Sequence, residues 1–269
     1  MSQKERQIKL YGRIILTGRI HALSGLHIGA SKDALEIGGV DMPVIRNPVD
    51  RRPYIPGSSL KGKMRSQWAK LCGVKFGTKL KDDRDPAKQV FIHTCDDPNC
   101  PVCSIYGTTG DVMKEAPTRL TVRDVLLDAG SLPKSVIDHT EVKWEASIDR
   151  VTSAASPRQT ERVPAGAIFG TVEQPMELVY SIYTAADRER FTHVLTALQL
   201  VEDDFLGGQG SRGSGKVAFK SLTLTLKSGE TYQTHSDERF QNKTLAELLE
   251  ARGDIEQWIK DHILTDGGA

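Results

Sequence analysis

Leu206-Gly207-Gly208-Gln209-Gly210-Ser211-Arg212-Gly213-Ser214-Gly215-Lys216-Val217 sets five glycines around one arginine and one lysine. Gly208, Gly210 and Gly213 spell G-x-G-x-x-G, the dinucleotide fingerprint. Gly210, Gly215 and Lys216 spell G-x4-G-K, but Val217 stands where a phosphate loop needs Ser or Thr for magnesium. Both motifs must follow a strand and open a helix. Here the preceding residues are helical in period: Phe191, Val194, Leu195, Leu198 and Val201 recur at spacings of three and four. The residues after it, Val217 to Leu226, alternate as a strand. The order helix, glycine loop, strand excludes a mononucleotide site at a helix N-terminus. What remains is a cationic, glycine-rich backbone surface able to approach a polyanion.

Outward from that loop, the chain reads as a series of short elements. Ile8 to Ile20 is strand-like, and a loop with Gly25, Gly29, Gly38 and Gly39 follows. Val44-Ile45 and Tyr54-Ile55 suggest two short strands. Pro56-Gly57-Ser58-Ser59 opens a helix to about Leu71, with Ser58 or Ser59 as N-cap and Leu60, Met64, Trp68 and Leu71 on one face. Residues 73–117 read as an irregular insertion and Leu120 to Leu127 as a strand. Residues 139–169 are polar, with few apolar anchors. Met176 to Tyr183 is a strand, 187–204 a helix, and 243–263 two short helices. Without its insertions the order is β, α, β, β, α, β. This predicts an α+β, ferredoxin-like (RRM-like) antiparallel sheet with two helices on one face, in one domain over 1–269.

At 269 residues with 26% charged and 38% hydrophobic side chains, the composition is that of an ordinary globular chain. No apolar run approaches the roughly 20 residues of a membrane span, and MSQKERQIKLYG has no signal-peptide core. Four cysteines, three of them clustered, argue against a disulfide scaffold. A cytoplasmic protein is the expectation. The net charge of +1 hides an asymmetry: Arg46 to Lys81 holds ten Lys or Arg and one acid, whereas Glu230 to Ala269 holds nine acids and four bases. The basic block suits nucleic acid, and the acidic segment 230–269 suits a solvated face or a protein contact.

His93-x-Cys95-x4-Cys100-x2-Cys103 brings four soft or borderline donors within eleven residues, enough to close a tetrahedral, structural Zn2+ site. Cys72 is an alternative to His93 as fourth ligand. Lys61 and Arg65 lie four apart on the helix after Gly57, on a face opposite Leu60, Met64 and Trp68, with Lys63 to one side. With Ser58, Ser59 and the first helical N–H groups, they suit phosphate. His21 and His27 flank the 25–39 loop, and a histidine pair can serve as general acid and base without a metal; the alternative for His27 is packing.

GLHIGASKDALEIGG (25–39), IPGSSLKGKMRS (55–66), TEVKWEASIDRVTSAASPRQTERVPAGAIF (140–169) and LGGQGSRGSGKV (206–217) occur together and in this order. The combination resembles the repeated backbone subunit of type III-A CRISPR effector complexes, the Csm branch of the RAMP superfamily. The resemblance implies a palm with a thumb hairpin (139–169) and a zinc-bearing finger insertion (73–117). It implies a filament of further copies along a CRISPR guide RNA, beside other Csm-complex subunits and away from membranes. Complementary target RNA is then cut once per subunit, by attack of a 2′-hydroxyl on the adjacent phosphate. Asp33 matches the family's cleavage aspartate, and a carboxylate there can hold a divalent Mg2+ or Mn2+ or orient the attacking hydroxyl. Glu36 and Asp41 are weaker candidates. Arg150, Arg158 and Arg162 of the thumb suit phosphate, with Ile148, Val151 and Ala154 as apolar surface. Gly208, Gly210, Arg212, Gly213 and Lys216 would lie against guide RNA. Two rival readings are a non-catalytic scaffold of the filament and a histidine-based guide-processing nuclease.

Overall fold

A computed structural model of the chain describes residues 8–30, 40–81, 85, 89–109 and 117–265. In chain order its elements are β1 (Gly12–Ala22), β2 (Tyr54–Ile55), α1 (Gly57–Leu71), β3 (Thr78–Lys81), β4 (Val90–Ile92), α2 (Pro101–Tyr106), β5 (Leu120–Val122) and β6 (Val125–Leu126). Then come β7 (Glu141–Ile148), β8 (Ala155–Arg162), β9 (Ile168–Phe169), β10 (Met176–Ile182), α3 (Ala185–Asp203), β11 (Val217–Ser228), β12 (Gln233–Ser236), α4 (Leu245–Glu250) and α5 (Arg252–His262). Among the described residues no helix is long and apolar enough to cross a membrane.

The main sheet runs β12-β11-β1-β10-β5, with β9 added to β1, and every pairing is antiparallel. Strict alternation in β1 explains its place at the centre. Ile14, Leu16, Ile20 and Ala22 are buried on one face, while Arg13, Thr17, Arg19 and His21 stay partly exposed on the other. α1 and α3 pack on each other and on the buried face. α1 buries Leu60, Met64 and Trp68; α3 buries Phe191, Val194, Leu195, Leu198 and Val201. Each large apolar side chain buried this way contributes roughly 1.5–3 kcal/mol. α4 and α5 join the same helical layer through Leu245, Leu248, Ile255 and Ile259.

Several local expectations give way. Neither Ser58 nor Ser59 caps α1: Pro56 holds the N-cap position, and Asp124 Oδ1 accepts the Gly57 amide at 2.7 Å from across the fold. Leu71 is exposed rather than part of the buried stripe. The 120–127 stretch is two strands in two sheets, β5 on β10 and β6 on β2. They part at Arg123 and Asp124, whose side chains are drawn to Glu177 and to the start of α1. Residues 73–117 contain a hairpin, β3–β4, and α2, whose Val102, Ile105 and Tyr106 enter the core.

Candidate nucleic-acid interface and metal centre

Three segments far apart in sequence meet at Gly25–Ala30. Leu26 exchanges both backbone hydrogen bonds with Val163, each 2.8 Å. Gly208 N–H donates to the His27 carbonyl at 2.8 Å, and Gly215 N–H to the Gly25 carbonyl at 2.9 Å. Ile45 N–H donates to the Ile28 carbonyl and Ala30 N–H to the Pro43 carbonyl. The glycine loop, the end of β8 and the 25–30 segment thus form one backbone-bonded unit. His27 lies inside it, buried, its Nδ1–H donating to the Glu161 carbonyl at 2.7 Å. That burial removes His27 from contact with solvent and favours packing over acid–base work. Asp33 and Glu36 lie outside the described residues. Asp41 Oδ2 accepts the Gln159 amide at 3.0 Å, so Asp41 and Pro43 on one side and Ala30 on the other are anchored to the same unit.

The glycines of 206–217 are needed by this packing. A Cβ on Gly207, at φ +77°, would strike the His27 carbonyl; one on Gly215, at φ +88°, would strike the Leu206 carbonyl; one on Gly210 would enter the Phe205 ring. Gly208 brings its backbone beside the His27 ring, and Gly213, at φ +83°, closes the turn with open space around it. Lys216 Nζ donates to the Glu202 carbonyl, and Arg212 reaches Glu145 of β7 at 2.8 Å.

Lys61, Lys63 and Arg65 of α1 do not form a free face. Lys61 Nζ donates to the Leu120 carbonyl at 2.7 Å, and burial, then Arg65, lowers its pKa. Arg65 donates to the His93 carbonyl at 2.8 Å. Lys63 pairs with Asp204 at 2.7 Å and lies over the Phe205 ring. Ser58 is exposed and Ser59 half-buried on the first turn.

β7 and β8 form an eight-pair hairpin from Glu141↔Arg162 to Ile148↔Ala155. One face is charged and turned to the glycine loop: Glu145 meets Arg212 and Lys143, whose Nζ also donates to the Arg212 carbonyl. Arg162 pairs with Glu141 at 2.7 Å. The other face carries Val142, Trp144, Ala146 and Ile148. Trp144 is 65% exposed and Val151 at the tip 93% exposed. Arg150 and Arg158 are exposed and free of partners among the described residues. Trp144 escaped the sequence reading, although its alternation with Val142 and Ile148 was the available signal. The base of the hairpin is held by Glu161. Its carboxylate accepts Val44 N–H at 2.8 Å, Arg46 at 2.5 Å and the Thr140 hydroxyl at 2.8 Å. Burial alone would raise its pKa, but these three donors outweigh it and hold it below the ordinary value.

The 73–117 insertion brings His93, Cys95, Cys100 and Cys103 together, with all donor atoms within 4.8 Å of one another. His93 Nε2 is 3.3 Å from Cys100 Sγ, and Cys95 Sγ is 3.8 Å from Cys103 Sγ. A tetrahedral site with Zn–S bonds of about 2.3 Å has S···S edges of about 3.8 Å. His93 Nδ1–H donates to the Lys75 carbonyl at 2.9 Å, which turns Nε2 to the sulfurs, the outer-shell arrangement metal-binding histidines use. Burial raises the Cys103 thiol to about 12. Burial also pushes Cys100 up, but the Cys103 amide and His93 bring it down to about 7. Three sulfurs this close share negative charge only with a cation among them. Cys72 is exposed and stands outside the group. Cys100 caps α2 and Cys103 lies within it, so these two sulfurs are built into the core.

The sequence model of the RAMP superfamily matches residues 19–218. A protein of Methanothermobacter thermautotrophicus is 37% identical over 242 residues, covering 83% of this chain and 90% of its own length. One of Methanocaldococcus jannaschii is 36% identical, covering 93% and 96%. One of Streptococcus thermophilus is 37% identical, covering 90% and 98%. All three are called CRISPR system Cms endoribonuclease Csm3. Among solved structures, a chain of the Csm3-Csm4 subcomplex in the type III-A CRISPR-Cas interference complex is 27% identical, with a TM-score of 0.57 over 92% of this chain and 98% of its own. Methanopyrus kandleri Csm3, 22% identical, shares the fold with a TM-score of 0.62 over 93% of this chain and 98% of its own.

Proposed function

This chain belongs to the RAMP superfamily, and from that membership we propose that it is a guide-RNA-binding backbone subunit of a type III-A CRISPR interference complex. In this reading it is an endoribonuclease that cuts complementary target RNA at regular intervals. The main support is the joining of the 25–30 segment, the glycine loop and the hairpin base into one backbone-bonded unit. That unit anchors Ala30 and Asp41–Pro43, the flanks of the stretch that carries Asp33. The main sheet is a ferredoxin-like palm, a reading supported by the antiparallel order β11-β1-β10-β5 with α1 and α3 on one face. β7–β8 is the thumb, 73–117 the finger, and 1–269 one domain with a helical C-terminal segment.

Asp33 is the catalytic residue in this proposal. Its carboxylate orients the 2′-hydroxyl for in-line attack on the adjacent phosphate; the O2′–P bond forms as the P–O5′ bond breaks, the 2′-hydroxyl gives its proton to water and the leaving oxygen takes one from water, which leaves a 2′,3′-cyclic phosphate and a 5′-hydroxyl. A Mg2+ or Mn2+ held by the Asp33 carboxylate would supply neutralisation of phosphate charge. Arg150 and Arg158 on the thumb take phosphate, while Trp144, Ile148 and Val151 supply apolar surface to splayed bases. Ser58, Ser59, Lys61, Lys63, Arg65, Arg162, Gly208, Gly210, Arg212, Gly213 and Lys216 line the RNA path; several of these side chains shape it through their protein partners. Zn2+ is bound by His93, Cys95, Cys100 and Cys103. Further copies of the chain and other Csm subunits complete a cytoplasmic complex.

The test is to assemble the complex with guide and complementary RNA and compare wild type, Asp33→Ala, and wild type with EDTA. Regular cuts should disappear in both controls while target binding persists. Full cutting by Asp33→Ala sinks the assignment. Cutting that survives EDTA favours histidine chemistry, and no cutting by wild type favours a scaffold.

A further inference from the structure

The exposed face of the main sheet carries a charge arrangement that its own packing does not explain. β1 and β11 pair in register from Gly12↔Ser228 to Thr17↔Thr223, then slip, and resume at Arg19↔Lys220. At the slip Ser221 takes φ +52°, a left-handed conformation costly for a side chain other than glycine. Both Lys220 and Ser221 are turned outward there. Bulges of this kind re-aim side chains and gather beside functional sites. This one sets Lys220 directly across from Arg19, and like charges in that position destabilise a sheet. His21 follows two residues after Arg19 on the same face.

None of the three is paired with an acid among the described residues. Glu202 of α3 senses Lys220, but its carboxylate accepts the Phe219 amide at 2.5 Å. Burial, then Lys220, then Arg19 lower the pKa of His21, so the local field is positive at the imidazole. The strand end leads straight into the backbone-bonded unit: Ala22 pairs with Val217, and Leu23 N–H donates to the Lys216 carbonyl. Meanwhile Lys61, Arg65, Arg212 and Lys216 are engaged within the protein.

We infer that Arg19, His21 and Lys220 form a phosphodiester-binding site on the open face of the sheet, occupied by an RNA strand that enters the unit around His27. Two cations opposed across a strained bulge cost stability when empty, and a bridging anion offsets that cost. The inference rests on the RNA-binding reading above and adds residues that reading does not contain.

Full-length wild type, Arg19→Ala/Lys220→Ala and Arg19→Lys/Lys220→Arg would be titrated with a guide RNA alone and with the guide annealed to its target. The Ala variant should bind about tenfold or more weakly at low salt. Its slope of log affinity against log salt should be shallower by about 1.4, the value for two lost phosphate contacts on a single strand. Its Tm should be unchanged or higher, because a like-charge pair is gone. The charge-keeping variant should retain the slope. Loss with guide alone assigns the site to the guide strand; loss only in the annealed arm assigns it to the target. RNA should also raise the NMR titration midpoint of His21. An Ala variant matching wild type in affinity and slope in both arms overturns the site and leaves the general reading standing. Wild type that binds no RNA overturns both.

Discussion

A side chain at Gly207 has nowhere to go: its φ of +77° is strained for any L residue, and the His27 carbonyl blocks the Cβ position. Gly207→Ala is therefore expected to cost about 2 kcal/mol or more, read as a lowered denaturation midpoint. The sequence displayed this glycine, but only the backbone of His27 shows why it is needed. Glu161 is a second single-residue case. Its folded pKa lies below the ordinary 4.5, so the stabilisation it supplies is present above that value and lost as pH falls through and below it. Glu161→Gln should flatten the acid limb of a stability–pH profile below about pH 4.5, and an unchanged limb would contradict the role. Nothing in the local pattern marked Glu161, because its donors come from Val44, Arg46 and Thr140.

At the scale of elements, α1, α3, β1, β10 and β11 were legible because their apolar period is carried by many residues. β2 was legible as Tyr54-Ile55, and β5 and β6 were read as one strand over Leu120 to Leu127; β9, with two residues, is too short to show a period, and long-range pairing decides it. The 73–117 insertion was legible in its His/Cys cluster and misread in its packing. Cys-x2-Cys announced a metal site, but α2 also sends Val102, Ile105 and Tyr106 into the shared core. Metal loss should therefore damage the whole fold. Chelation, or Cys100→Ser, should release Zn2+ and lower Tm by ~10 °C or more, measured by a colorimetric zinc assay and a melting curve. Zinc release without a fall in Tm would show that the insertion is detachable.

Across the whole molecule, one buried ion network ties the layers together. Asp187, fully buried at the start of α3, takes Arg119 at 3.1 Å and Arg190 at 3.2 Å and accepts the Tyr183 and Thr184 amides. Arg190 also reaches Asn99, between Cys95 and Cys100, at 3.2 Å. Helix, sheet edge and the 73–117 insertion meet at one carboxylate. Removing it strands two buried guanidinium groups, so Asp187→Ala should cost about 3–5 kcal/mol, measured by denaturant unfolding. A loss under about 1 kcal/mol would mean that the network is not shared.

From the sequence alone came the α+β order and the exclusion of a mononucleotide fold, from periods along the chain, the His/Cys cluster, from its spacing, and the family, from the resemblance of four motifs. Tertiary structure decided which charges are free. Lys61, Arg65, Arg212 and Lys216 are as basic in sequence as Arg19 and Lys220, yet the first four find carbonyls or carboxylates inside the fold. Arg19 and Lys220 face each other across a strand slip, neither of them paired with an acid among the described residues. A cation's partner is set by which elements pack beside it, and that contact lies across the fold, beyond the reach of any local pattern.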